Sequence, residues 1–463
     1  MTQHRRILLL VLFSTLIVAP ALRAEAPAPS PAWLTPYRAP AAQLIGAALA
    51  DRAAWNRLAV LTDGIGHRVS GSAQLDQAIR WAVEEMKKDG LENVHTEKAM
   101  VPRWIRGAEG AAIVEPAPHT LSMLGLGNSV GTPAEGVQAE VLVVSSFVEL
   151  ERRSAEAKGR IVFYNAPYVG YGETVAYRAA GASRAAAYGA VAVLVRSIGQ
   201  DGLRLPHTGA LNYAADQPKI PAAAVASEDA DRLQRMADRG SRIIVRLKME
   251  AHFEAETESA NVVGEIRGRE KPDEVVVVGG HLDSWDVGAG ATDDGGGCVV
   301  TWEALRLMKQ LNLRPRRTVR VVLFTNEENG GRGGLAYRDA HQAELDRHAL
   351  MIESDGGVFR PLGFGFSGSD KARATVKDIA TLLTGIGADL IGPNGGGADI
   401  GPAVAAGKVP AMALEVDGSK YFLIHHTAAD TIDKIDPQEM ARCTAAVAVM
   451  AWVVAELPDM LGR

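Results

Sequence analysis

At 463 residues the chain is long enough for two or three domains with sizeable cores. Its formal net charge of −6, without a Lys/Arg block or basic-aromatic interleaving, argues against a nucleic-acid partner. Two cysteines, Cys298 and Cys443, exclude a disulfide framework and a Cys-rich zinc pattern, and a buried free thiol is expected at Cys298.

Residues 1–24 read as a secretory signal peptide. His4, Arg5 and Arg6 form a basic start, residues 7–18 an apolar run too short for a comfortable membrane span, and Ala21, Ala24 and Ala26 supply small residues for cleavage. The expectation is a secreted or periplasmic protein with no stable membrane insertion after cleavage. Residues 25–40, rich in Pro and Ala, predict a linker. Residues 41–110 read as the first part of the domain that residues 253–463 complete, helical as far as Gly90. There Leu75, Ile79, Ala82, Val83 and Met86 share one helix face, and the glycine fits the stop.

Residues 111–252 change character, with short strand-like runs rich in Ala, Gly and Val. GRIVFY over 159–164 reads as turn then strand, and AAAYGAVAVLV over 185–195 as helix end, glycine and buried strand. Ser227, Glu228 and Asp229 suit a helix N-terminus. No metal-binding or nucleophilic constellation stands out, so this segment reads as an insertion without chemistry of its own.

Residues 253–463 alternate between β and α patterns. Continuous apolar runs at 275–278, 319–324, 349–352 and 409–414 read as buried strands, and 298–311 as a helix. Such runs separated by helices predict an α/β fold, a mostly parallel sheet covered on both faces. In open sheets of this kind ligands sit beyond the carboxyl ends of the strands.

Five polar motifs lie in this last region: His281-Leu282-Asp283, Asp293-Asp294-Gly295, Glu327-Glu328-Asn329, Glu353-Ser354-Asp355 and His425-His426-Thr427. The first, third and fourth directly follow predicted strands. Zinc takes imidazole nitrogen and carboxylate oxygen. Two neighbouring ions need one bridging carboxylate and about two further ligands each. The motifs meet that count with Asp293 as bridge. His281 pairs with Glu353 or Asp355, and Glu328 with His425 or His426. Glu327 is left to act as general base. Asp283, two residues beyond His281, is placed to accept the imidazole N–H and fix its tautomer. Gly395-Gly396-Gly397 reads either as a flexible loop or as the rim of a substrate pocket.

The segments HLDSWDVGAGATDDGGG (281–297), FTNEENGGRGG (324–334), ESDGG (353–357) and YFLIHHTAADT (421–431) resemble the co-catalytic di-zinc exopeptidases. That family includes bacterial leucyl aminopeptidases and glutamate carboxypeptidases. The resemblance implies metal ligands His281, Asp293, Glu328, Asp355 and His426, with two zinc ions per chain (cobalt or manganese also suit such donors). It supports Glu327 as the base acting on a water activated between the ions. It also implies that residues 111–252 form a protease-associated β-rich α+β insertion that shapes access. The expected activity is hydrolysis of dipeptides or short peptides by an exported homodimer. The alternatives are an aminopeptidase on longer peptides and a non-catalytic, receptor-like member of the fold.

Overall fold

The computed structural model describes residues 31–199 and 202–463, so the signal-peptide reading lies outside the described residues. One eight-stranded sheet carries the order Glu92–Val101, Thr257–Ile266, Arg317–Phe324, Lys271–His281, His348–Glu353, Ala411–Val416, Pro361–Ser367 and Leu390–Pro393. The three central pairings and the last one are parallel, and the other three are antiparallel. Arg317–Phe324 and His348–Glu353 are buried at every residue.

Alternation along these strands feeds two cores. On one face Val276, Val278, Val321 and Ile352 pack with Gly296–Gln310, Pro437–Glu456 and Thr35–Ala50. On the other Val275, Val277, Val322 and Met351 pack with Tyr337 of Arg332–His341, Ala403 of Gly401–Gly407 and Ile400 just before that helix. The expected two-sided α/β sheet is therefore present.

The linker reading needs correction. Helix Thr35–Ala50 begins inside it. Tyr37, Ala41, Leu44 and Ala48 recur every three or four residues and are all buried. Pro36 occupies the first turn, where a missing N–H costs nothing. Only Pro40 interrupts the ladder, and the buried stripe outweighs it.

A second eight-stranded sheet is built wholly from residues 109–249 and also has a core on each face. Helix Tyr171–Ala186 covers one face through Ala182, Ala185 and Ala186, and Ser227–Asp238 covers the other through Ala230, Leu233 and Met236. Trp285, four residues past His281, is edge-on to Trp104 at 6.0 Å. Asp286 accepts two hydrogen bonds from Arg106. Both tryptophans pack in one of the second sheet's cores, which fastens that sheet to the loop leaving the first. Cys298 and Cys443 are both buried and unpaired.

Candidate metal centre

The carboxyl ends of the central strands deliver the site. His281 is the last residue of Lys271–His281, Glu327 and Glu328 follow Arg317–Phe324, and Asp355 follows His348–Glu353. Asp293 comes from the turn before Gly296–Gln310, and His426 from the loop after Tyr421–Ile424, with φ +58°.

Two groups converge. His281 Nε2 lies 3.2 Å from Asp293 Oδ1 and 3.4 Å from Asp355 Oδ1. His426 Nε2 lies 3.0 Å from both Asp293 Oδ2 and Glu328 Oε2. Each group offers donor atoms within 4.8 Å of one another, and Asp293 belongs to both. Nitrogen and oxygen donors meet here, yet His281 Nε2, Asp293 Oδ2, Glu328 Oε1 and Asp355 Oδ1 are buried and make no hydrogen bond. Buried polar atoms without partners are costly. This donor set fits a pair of zinc-like cations sharing the Asp293 carboxylate.

The electrostatics agree. Burial disfavours charge on His281, but Asp293 and Asp355 outweigh it and raise its pKa well above the ordinary value. His426 is raised likewise against burial, by Glu328 and Asp293. Against its own burial, Asp293 is held well below the carboxylate range by these two rings. Burial, then Asp293, pushes Glu328 up to about 7. Burial also pushes Glu327 well above its usual value. Asp355, Glu328 and Asp283 add to that push, and His281 opposes it. Acids crowded in this way are relieved by nearby positive charge.

A surrounding set of residues fixes these groups. The Asp294 carboxylate accepts from the backbone N–H of His281 at 3.0 Å and of Gly297 at 3.1 Å. A Cβ on Gly297 would lie 1.9 Å from the Ser354 carbonyl oxygen, so only glycine permits this approach. Asp430 accepts from the N–H of Thr292 and Asp293, which anchors the bridging residue, and burial raises its pKa to about 6. Arg68, fully buried, donates to the carbonyls of Leu282, Gly66, Ala289 and Gly290 and pins the loop between His281 and Asp293.

Asp283 does not hold the His281 ring as expected. Its own backbone carbonyl faces His281 Nδ1 at 3.0 Å, while the carboxylate stands 3.8 Å away. That carboxylate instead accepts from the N–H of Glu327 and Glu328 and from the Ser70 hydroxyl. Asp283 therefore orients the two-glutamate turn, because the chain bends after His281 and carries the side chain to the next strand end.

The open pairs resolve geometrically. Glu353 turns away from the cluster and accepts from the N–H of Ile400 and Asp399. Gly397 closes over it, so the glycine run backs Glu353. His425 stacks on His426 at 4.4 Å and on Tyr421 at 4.8 Å, and neither of its nitrogens is hydrogen-bonded.

A cleft of about 320 Å³ opens on the cluster and is walled by Tyr421, Phe422 and His425, and by Tyr171, Arg178 and Ala210 of the second sheet's segment. The insertion, expected to bring no chemistry, thus supplies polar groups to this wall. Their only sequence signal is the Tyr171/Arg178 spacing, two helical turns along one face.

A model of peptidase family M28 matches residues 261–451. Carboxypeptidase Q of Mus musculus is 48% identical over 409 residues, covering 88% of this chain and 87% of the mouse protein. The crystal structure of a peptidase M28 precursor from Shewanella amazonensis superposes with a TM-score of 0.89 at 36% identity, covering 92% of this chain and 98% of that one. A zinc aminopeptidase from Bacillus subtilis shares the fold, with a TM-score of 0.66 at 20% identity over 88% of this chain and 96% of its own. The chain belongs to peptidase family M28 and is a metallopeptidase.

Proposed function

We propose that the chain is an exported exopeptidase that holds two zinc ions and hydrolyses dipeptides or short peptides. The carrying observation is that Asp293 belongs to both donor groups, with His281 and Asp355 on one side and Glu328 and His426 on the other. When bound there, zinc supplies an acidified water and polarises the scissile carbonyl. Glu327, whose pKa burial and the neighbouring acids raise above the ordinary carboxylate value, takes the water's proton at its carboxylate and passes it to the leaving amine. Asp283 keeps Glu327 and Glu328 on their respective sides by holding both backbone N–H groups. The Tyr421 hydroxyl stays protonated under burial and the Asp293 and Asp355 charges, and donates to the developing oxyanion. The basic-then-apolar N-terminus supports export.

The test is dipeptide turnover by the zinc-loaded protein and its Glu327→Gln variant. The variant is expected to lose about 1,000-fold in kcat while keeping its zinc. Retained turnover would remove Glu327 as base, and a wild type without chelator-sensitive peptide hydrolysis would remove the function.

A further inference from the structure

We propose that Arg178 of the inserted segment recognises the substrate's C-terminal α-carboxylate, making the enzyme selective for free C-termini. The assignment rests on the exopeptidase reading above and deepens it.

Arg178 is 6% exposed and lines the cleft that contains Asp293, Glu327 and Asp355. Burying a guanidinium calls for an anion or a full set of acceptors. Arg178 has neither among the described residues. A guanidinium has five N–H donors, and here only two acceptors meet them: the Thr208 carbonyl at 3.1 Å from Nη1 and the Tyr171 hydroxyl at 2.8 Å from Nη2. Nε is buried without a partner. The other buried arginine at the site, Arg68, donates to four backbone carbonyls with every nitrogen partnered, and points to no ligand.

The position of Arg178 relative to the metal centre is fixed by one short segment. Gly209, with φ +124°, lies against the guanidinium face, and a Cβ there would come within 2.3 Å of Nη1. Next to it the Thr208 carbonyl accepts from Arg178, and the Thr208 N–H donates to the His426 carbonyl at 2.9 Å. The same residues therefore set the distance from the guanidinium to the metal-facing imidazole. Tyr171, accepting from Arg178, keeps its own hydroxyl hydrogen for a ligand, and stacks on Phe422 at 4.9 Å. A planar fork beside a hydroxyl matches a carboxylate. A cleft of about 320 Å³ is small for a ligand site and suits a dipeptide.

The test compares a dipeptide with its C-terminal amide. The wild type is expected to favour the free acid by roughly 10- to 100-fold in kcat/KM. Arg178→Gln should collapse that ratio toward one. Arg178→Lys, which keeps the charge and loses the fork, should fall between, and it decides the matter if the Gln variant does not fold. Calorimetry with a non-hydrolysable dipeptide isostere, as carboxylate and carboxamide, should show the same order without turnover. Ala-Glu against Ala-Gln forms the second arm. Discrimination there that Arg178→Gln abolishes assigns the arginine to a side-chain carboxylate and overturns the proposal. A wild type that cleaves acid and amide alike, or a ratio unmoved in both variants, also overturns it while leaving the exopeptidase standing. A zinc-loaded wild type that cleaves neither removes the exopeptidase reading itself.

Discussion

Glu327 and Glu328 are chemically identical neighbours, and their environments separate them. Both line the cleft, but Glu328 faces His426 and joins a donor group with it and Asp293, whereas Glu327 belongs to neither group. The residue types and order of the motifs were legible in the sequence, because imidazoles and carboxylates after apolar strands have few other uses. The partner of His281 was not, since a two-residue spacing does not say where a bending chain sends its side chain. Tyr421 was missed because an aromatic before a histidine pair reads as core. It gives a sharp expectation. If Tyr421 is the donor proposed for the developing oxyanion, Tyr421→Phe should lower kcat about 100-fold with KM nearly unchanged. A proportional rise in KM would instead mark Tyr421 as a ground-state binder.

Among elements, the strand ends do most to make the site. The runs of valine and leucine announced which strands are buried, and the positions just past them announced the cluster. The helix starting at Thr35 was hidden by the Pro/Ala count, which masked a sparse apolar stripe. The loop after Leu390–Pro393 was ambiguous because glycines serve both mobility and close approach. Here the close approach is decisive. A Cβ on Gly397 would lie 2.1 Å from the Glu353 carboxylate carbon. Gly397→Ala must therefore displace either the buried Glu353 carboxylate or the loop whose N–H groups satisfy it. We expect a loss of about 1–3 kcal/mol in urea unfolding. An unchanged midpoint would show that the loop moves freely.

For the molecule as a whole, the change in composition over residues 111–252 marks off the middle segment in the sequence, but carries no sign that it walls the cleft. Docking depends on Trp104 meeting Trp285 and Thr208 meeting His426, pairs far apart along the chain. A buried cluster more local in sequence, at the start of strand His348–Glu353, sets an acid limit on stability. Burial holds His348 neutral, with its pKa lowered to about 4, between the Tyr337 hydroxyl and the Glu344 carbonyl. Its ordinary value is about 6.5. Between these values the unfolded chain binds the proton and the folded one does not, so this contribution is complete above about pH 6.5 and is lost as pH falls toward 4. Between pH 7 and 5 the stability gap between wild type and His348→Gln should narrow by about 2 kcal/mol. A constant gap would contradict the assignment.

The shared Asp293 carboxylate ties these scales together, because one side chain completes two donor groups drawn from distant parts of the chain. Zinc counted per chain after equilibrium dialysis tests this directly, in the wild type and in Asp293→Ala. Two ions are expected in the wild type and loss of both in the variant. A wild type with one ion or none, or a variant that keeps one tightly, would contradict it.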